Sequence, residues 1–205
     1  RQPVEVAPPP SARVRAEVDW NCELAHITRR TWDTYGDAAP ALLFENIKGY
    51  KAPGPRRVFV GTFRSWYRTA MMLGLAPETT TRSELLRVLR GRINDRENFL
   101  PPRVVASGPV KQNVVTGDKV DLTMFPVPVF GERDGGRFIG TMHSVITRDP
   151  DSGWVNVGTY RMMLHNGQET GMQIDPANQH IGQHYWKYIE RNEPMPVAVV
   201  IGQEP

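Results

Sequence analysis

The second half of the chain alternates apolar and polar residues with the period of two that is typical of β-strands. Residues 138–147 and 154–164 are two such runs, and a cluster of turn-forming residues at 149–153 lies between them. This order predicts a β-hairpin. Residues 171–174 add a short strand pattern and 178–191 a helix pattern. We therefore expect a small antiparallel sandwich or barrel in this part of the chain.

The first hundred residues mix helix and strand patterns. Glu84, three residues after Thr81, predicts a helix-capping box. The whole chain is predicted to have an α+β fold, in which a proline-rich arm (1–12) precedes an α/β domain (13–110) and a β-rich domain (111–205). The predicted strands of the α/β domain lie at 13–18, 41–47 and 57–62, and its predicted helices at 24–36, 65–75 and 81–93.

The second strand of the predicted hairpin carries polar residues on both of its faces. Asn156 and Tyr160 share one face, and Thr159 and Arg161 lie on the other. A buried Arg is costly unless an anion pairs with it, so Arg161 in an otherwise apolar hairpin indicates a carboxylate or phosphate partner. An edge strand with an exposed Arg and a turn-type Asn explains the same pattern. The hairpin by itself does not choose between these interpretations.

The composition is that of a packed globular protein, with 40% hydrophobic and 9% aromatic residues. Cys22 is the only cysteine, which excludes an internal disulfide and favours a reducing compartment, so we expect a cytoplasmic protein. The formal net charge is +3, and the cations are spread along the chain, so we expect no nucleic-acid partner. No apolar run approaches the roughly 20 residues that cross a bilayer, and we expect no membrane insertion.

Two histidines at helical spacing, His180 and His184, could bind one metal ion. The Glu of a His-Glu-x-x-His motif is absent, so packing or surface roles are the favoured interpretation of this pair. Asn156 with His180 is the competing choice, because an amide oxygen and an imidazole suit a manganese or magnesium ion that also contacts a phosphate. Two ligands are too few, and the sequence offers no obvious third one near either residue.

Several short motifs together resemble the UbiD family of prenylated-flavin-dependent decarboxylases. The segment at 43–50, Leu-Phe-Glu-Asn-Ile-Lys-Gly-Tyr, is similar to the strand and turn near the start of these enzymes. The resemblance covers nearly the whole chain after the proline-rich arm. The other motifs are Phe-Pro-Val-Pro at 125–128, Asp-Gly-Gly-Arg-Phe-Ile-Gly-Thr at 134–141, Thr-Arg-Asp-Pro at 147–150, Asn-Val-Gly-Thr-Tyr-Arg at 156–161 and Gln-His at 179–180.

The resemblance implies a reversible, non-oxidative decarboxylase of aromatic or α,β-unsaturated carboxylic acids. The implied cofactors are prenylated FMN, manganese or magnesium, and potassium. Residues 111–205 would begin a flavin-reductase-like split β-barrel that holds the flavin. The implied partners are a small aromatic or unsaturated acid, a flavin prenyltransferase that supplies the cofactor, and further copies of the chain in a homo-oligomer.

The resemblance also implies roles for individual residues. Asn156 and His180 resemble two metal ligands at the cofactor phosphate, and Trp154 falls where a backbone carbonyl binds potassium. Arg161 resembles the arginine that contacts the substrate carboxylate, and it is the implied catalytic residue. The implied cofactor-binding residues are Asn156, Thr159, Tyr160, Arg161, Gln173, Gln179 and His180.

The chain departs from the family in its length, because family members are considerably longer than 205 residues. We expect their third metal ligand, their catalytic glutamates and the rest of the barrel to lie beyond the position that matches Pro205. Two other functions stay open. One is a non-catalytic flavin-binding or assembly subunit that works with a full-length partner. The other is an FMN-dependent oxidoreductase, against which the metal-type pair Asn156 and His180 argues.

Overall fold

The computed structural model describes residues 11–101 and 103–202. The chain divides into two compact units. The predicted arm lies outside the described residues up to position 10, and the predicted domain bounds, 13–110 and 111–205, stay predictions. The first unit takes in residues up to Val18, His26–Gly49 and Arg56–Val120; the second takes in Asp19–Ala25, Tyr50–Pro55 and Asp121–Pro205.

The first unit contains a three-stranded sheet and helical segments. The sheet has the order β1-β2-β3, in which β1 pairs with β2 in parallel and β3 pairs with β2 antiparallel. The central strand is the buried one, since Ala41, Leu42 and Phe44 are each at most 4% exposed. The elements are β1 (Ser11–Val14), α1 (Glu23–Tyr35, of which residues 26–35 belong to this unit), β2 (Ala41–Phe44), β3 (Val58–Val60), α2 (Trp66–Met72) and α3 (Arg82–Asn94).

The sequence patterns of the first unit predict its elements well. Every predicted strand and helix is present, with ends shifted by a few residues. The Thr81 hydroxyl accepts a hydrogen bond from the Glu84 backbone N–H at 3.2 Å, which confirms the first half of the capping box. Arg68 is buried, and its guanidinium donates to the carbonyls of Ala39 and Gly61, both at 2.8 Å.

The second unit contains two antiparallel sheets and a helix. One sheet has the order β4-β7-β8 and the other the order β6-β5-β9. A core of Val145, Tyr160, Met162 and Ile181 packs between these elements, and Ile139 packs against it. The elements are β4 (Arg137–Gly140), β5 (Ser144–Arg148), β6 (Val155–Gly158), β7 (Met162–Leu164), β8 (Thr170–Met172), α4 (His180–Glu190) and β9 (Ala198–Val200).

The predicted hairpin is confirmed, because β5 pairs antiparallel with β6 next to the turn and β4 pairs antiparallel with β7 further along the same two runs. The expectation that each run is one uninterrupted strand is wrong. The pattern at 138–147 is divided into β4 and β5, and the pattern at 154–164 into β6 and β7, so each contributes to both sheets. Glycines mark both breaks. A Cβ atom at Gly140 would lie 2.4 Å from the His143 ring, and one at Gly158 would lie 2.7 Å from the Tyr160 ring. A side chain at either glycine would block the ring packing that accompanies the change of sheet.

The predicted alternation of faces is confirmed despite the break. Asn156, Tyr160 and Met162 are each at most 8% exposed, whereas Val155 and Val157 are 44% and 60% exposed. The side-chain period of two therefore continues across the interruption between β6 and β7. Within the described residues the fold is a mixed α+β one with small sheets, as predicted. A split β-barrel stays a prediction.

Arg137 explains why two short early segments belong to the second unit. Its guanidinium lies 4.2 Å from the centre of the Trp20 ring and also bonds to the Tyr50 hydroxyl. The same side chain donates to the carbonyls of Val127 at 2.8 Å and Phe125 at 3.2 Å. One cation therefore connects segments 19–25 and 50–55 to the strands after Asp121.

Candidate functional site

The turn between β5 and β6 is organised by a buried carboxylate. Asp149 is 6% exposed, and its Oδ1 accepts hydrogen bonds from the backbone N–H groups of Asp151 and Ser152, each at 2.9 Å. Its Oδ2 accepts from the Lys187 ammonium of α4 at 2.6 Å. The bond from Lys187, with help from the turn N–H groups, holds the pKa of Asp149 far below its ordinary value.

Further charges extend this arrangement along α4. Lys187 also lies 3.1 Å from Asp151, and Arg191 forms an ion pair with Asp151. Hydrogen bonds to Asp149 and Asp151 raise the pKa of Lys187. We call Asp149, Asp151, Lys187 and Arg191 the turn-helix network. It fixes the hairpin turn against the helix that begins at His180.

His184 lies behind this network as a core residue. It is fully buried, and its Nδ1 is 2.9 Å from the Thr147 hydroxyl. Its Nε2 is 3.9 Å from the Asp149 carboxylate and makes no hydrogen bond with the part of the chain that the structure describes. Burial is the main cause that lowers the pKa of His184, which favours a neutral ring. We assign His184 to packing, in agreement with the favoured interpretation of the histidine pair.

His180 is in a different environment, although it is only one helical turn away. It is the first residue of α4, and its side chain is exposed. The Trp154 ring makes edge contacts with both imidazoles, at centroid distances of 5.0 Å to His180 and 5.1 Å to His184. The Trp154 carbonyl accepts the Asp149 backbone N–H at 2.8 Å. His180 is therefore accessible to a ligand and is oriented by an aromatic neighbour.

Asn156 presents an amide oxygen in a fixed orientation. The residue is 6% exposed and lies opposite Thr147 in the β5–β6 ladder. Its Nδ2 donates to the Tyr160 hydroxyl at 3.0 Å, which defines the side-chain amide orientation. The Oδ1 atom is thereby left as the group that can accept a hydrogen bond or bind a cation.

The remaining predicted cofactor-binding residues lie at the break between β6 and β7, after β8 and just before α4. The Thr159 hydroxyl donates to the His143 carbonyl at 3.1 Å, and the Gln173 backbone N–H donates to the Arg161 carbonyl at 3.1 Å. The Gln179 side-chain oxygen accepts the Asp175 backbone N–H at 2.8 Å, just before α4. These contacts position the backbone and leave the Gln179 amide group as a further donor.

Arg161 lines an open cavity of about 330 Å³. The residue is exposed, so the sequence argument from a buried Arg is wrong. The guanidinium makes no hydrogen bond or ion pair with any residue that the structure describes. We call this space the Arg161 cavity; its walls are formed by Phe130, Asp134, Phe138, Thr141 and Arg161.

Sequence reasoning assigned no role to the other walls of this cavity. Asp134, Phe138 and Thr141 lie in the motif at 134–141, which contributes to the family resemblance. No role was predicted for their side chains. In the structure a bulge lies between Phe138 and Gly140, where the pairing with β7 shifts. Bulges of this kind redirect side chains next to functional sites.

Asn156 and His180 provide part of what a divalent cation requires. The oxygen of Asn156 and the imidazole of His180 are of the types that bind manganese or magnesium. In residues 11–101 and 103–202 no group of three His, Cys, Asp or Glu side chains converges on one point. An ion held by Asn156 and His180 would therefore need oxygen ligands from a phosphate or from another segment.

None of the helices in the described ranges is long and apolar enough to cross a bilayer.

Comparisons with known protein families match both parts of the chain. Residues 11–88 match the 3-octaprenyl-4-hydroxybenzoate carboxy-lyase N-terminal domain. Residues 103–205 match the 3-octaprenyl-4-hydroxybenzoate carboxy-lyase Rift-related domain. The residues that carry the turn-helix network and the Arg161 cavity all lie in the second match.

Individual relatives agree with these matches. The chain is 35% identical over 199 residues to the pyrrole-2-carboxylic acid decarboxylase of Pseudomonas aeruginosa, covering 94% of this chain and 38% of the relative. The closed form of the vanillic acid decarboxylase of Sedimentibacter hydroxybenzoicus superimposes with a TM-score of 0.83 at 33% identity, covering 94% and 40%. An evolved dimeric form of a UbiD-class enzyme from Pelotomaculum thermopropionicum, in complex with prFMN, gives 0.78 at 28% identity, covering 96% and 42%. The chain thus spans about two fifths of the length of these relatives.

Proposed function

Because this chain belongs to the UbiD family, we propose that the protein carrying it catalyses the reversible, non-oxidative decarboxylation of an aromatic or α,β-unsaturated carboxylic acid. The Arg161 cavity is the observation that carries the proposal. It combines a guanidinium that has no partner among the described residues with the aromatic walls of Phe130 and Phe138. Such a space suits the carboxylate and the planar body of an unsaturated acid. Two of the relatives are named for aromatic acids.

We propose prenylated FMN, a divalent metal such as manganese, and potassium as the cofactors. The flavin, when bound, delocalises the charge that develops as carbon dioxide leaves. Asn156 and His180 would hold the divalent ion, and the Trp154 carbonyl would hold potassium. A relative that binds prFMN supports the flavin assignment. The proposed flavin contacts are Thr159, Tyr160, Arg161, Gln173 and Gln179, on a split barrel that begins within 111–205.

The chain's own contribution to the reaction is to position the reactants. Arg161 would pair with the substrate carboxylate through charge-assisted hydrogen bonds and so orient the bond that breaks. Tyr160 holds the Asn156 amide so that Oδ1 is available to the cation. Trp154 supports the His180 ring from its edge. These groups are arranged before any ligand arrives, which lowers the cost of binding.

The proposed partners follow from the same assignment. They are a small aromatic or unsaturated acid, a flavin prenyltransferase that supplies the cofactor, and other copies of the protein in a homo-oligomer. One related structure is of a dimeric form, which supports the last of these.

Reconstitution tests the proposal directly. The protein carrying this chain would be loaded with prenylated FMN and manganese, characterised by intact mass, absorption spectrum and metal content, and assayed for carbon dioxide release from a panel of aromatic acids. We expect release that depends on the flavin. A loaded protein that binds both cofactors but decarboxylates no acid of the panel would contradict the proposal and support the non-catalytic flavin-binding alternative.

A further inference from the structure

The Arg161 cavity has the size and walls of a site for one aromatic ring. Its volume of about 330 Å³ lies near the lower end of the roughly 300–1,000 Å³ range of small-molecule sites. Phe130 and Phe138 supply flat apolar surface, and Thr141 supplies one hydroxyl. A single-ring acid fits within these dimensions.

Two opposite charges line this cavity without neutralising each other. Arg161 and Asp134 both lie in its wall, yet no ion pair within 4.0 Å joins them. The Asp134 Oδ2 atom accepts the Gly131 backbone N–H at 2.8 Å. Its Oδ1 atom accepts no hydrogen bond from the residues that the structure describes. The cavity therefore offers one free cation and one free anionic acceptor to a ligand.

The loop that carries Asp134 is held in place from several sides. The Asp134 backbone N–H donates to the Gly131 carbonyl at 2.9 Å, which closes the loop on itself. A Cβ atom at Gly136 would lie 3.2 Å from the Met163 sulfur, so this glycine packs closely on β7. Arg137 fixes the following position through the Val127 carbonyl. The acceptor is thus set before a ligand binds.

We propose that Asp134 is a specificity-determining residue, which accepts a hydrogen bond from a ring hydroxyl or ring N–H of an aromatic acid whose carboxylate pairs with Arg161. This inference rests on the proposed function. A bound carboxylate near an unsatisfied Asp134 is repelled, and the repulsion falls when a ring donor bonds to Asp134. Acids that lack such a donor leave the Asp134 carboxylate without a hydrogen bond from the ligand, and they bind more weakly.

Ligand binding to the full protein that carries this chain, measured in its cofactor-free form, tests this inference. The probes are 4-hydroxybenzoate, which has a ring donor, and benzoate, which has none; their affinities are measured by ligand-observed NMR titration. We expect 4-hydroxybenzoate to bind about tenfold more tightly, because a hydrogen bond to a charged acceptor is stronger than one to a neutral acceptor. Asp134→Asn should reduce that preference to about twofold, mainly by lowering the affinity for 4-hydroxybenzoate.

Glu132→Gln is the matched control, because it removes a carboxylate from the same loop at a residue outside the cavity wall. It should leave the tenfold preference unchanged. Equal effects of Asp134→Asn and Glu132→Gln, an unchanged preference in Asp134→Asn, or no measurable binding of either acid would overturn the inference. Circular dichroism and thermal melting confirm that each variant is folded.

The inference and the proposed function fail in different ways. Carbon dioxide release that does not discriminate between the two acids would remove the role of Asp134 and leave the decarboxylase assignment standing. Discrimination that depends on Asp134 in the binding titration, without carbon dioxide release by the loaded protein, would remove the decarboxylase assignment and leave the binding site.

Discussion

The turn-helix network and the Arg161 cavity lie in the same unit but differ in how their charges are satisfied. In the network, Asp149 accepts hydrogen bonds at both oxygens, and Lys187 bridges two carboxylates. In the cavity, Arg161 and one oxygen of Asp134 have no partner among the described residues. Buried charges that are paired within the protein fix a structure, whereas exposed charges that line a cavity are available to a ligand. The contrast predicts which variants lose stability and which lose function.

Removing the Arg161 guanidinium should have the largest effect, and it should fall on function. Arg161→Gln is expected to lower kcat/KM for decarboxylation roughly 100-fold or more, because paired charge-assisted hydrogen bonds are worth about 3 kcal/mol together. The melting temperature should stay unchanged, since no described residue depends on this side chain. Arg148→Gln, an exposed arginine of β5, is the control and should retain activity. A large decrease in the melting temperature of Arg161→Gln would contradict the distinction between charges that stabilise the fold and charges that bind a ligand.

Removing the Asp149 carboxylate should act on stability instead. Asp149→Ala leaves two turn N–H groups without their acceptor and leaves Lys187 with Asp151 alone, so the melting temperature should fall by several degrees. Asp134→Asn, in the cavity, should change the melting temperature much less. Differential scanning calorimetry of the two variants measures the difference. Equal decreases in the melting temperatures of the two variants would show that the pairing of charges does not distinguish the two regions.

Gly158, at the break between β6 and β7, lies against the Tyr160 ring. In Gly158→Ala the new Cβ atom would overlap the Tyr160 ring, and overpacking of this kind costs roughly 1–3 kcal/mol of unfolding free energy. Tyr160 would also move, and the Asn156 amide that it holds would follow. Urea denaturation measures the loss. Gly91→Ala, at an open position inside α3, is the control and should stabilise the protein by up to about 1 kcal/mol.

Acidification should produce the smallest effect, through His143. The residue is 2% exposed, and burial lowers its pKa below the ordinary 6.5, although the backbone of Tyr160 opposes part of this shift. A neutral buried histidine takes up its proton preferentially in the unfolded chain. Its contribution to stability is therefore complete above about pH 6.5 and declines as the pH falls below that value.

The unfolding free energy measured from pH 7.5 to 5.5 should therefore decline. His143→Gln should make the decline shallower without abolishing it, because burial also lowers the pKa of His184. Asp149 contributes nothing to this window, because its pKa is lowered from 3.8 and its contribution is lost only in stronger acid. His165→Gln, at an exposed position, serves as the control. The same slope in His143→Gln and in the unsubstituted protein would contradict the assignment.

Local patterns were sufficient for most elements of the first unit. The capping pair Thr81 and Glu84 and the apolar run that became β2 depend on neighbours a few residues away, which the sequence displays directly. The β-type runs of the second unit were also recognised. Their division at Gly140 and Gly158 was missed, because the alternation of side chains continues across a break and does not reveal where the strand pairing is interrupted.

The sequence alone determined the α+β class, the resemblance to one enzyme family, and the choice of Asn156, Arg161 and His180 as residues to examine. These follow from residue types and their spacing. Only the tertiary structure separated the buried His184 from the exposed His180, and only it placed Asp134 in the wall of the same cavity as Arg161. Burial and the pairing of charges depend on residues far apart in the chain, and such proximity arises only when the strands and helices pack.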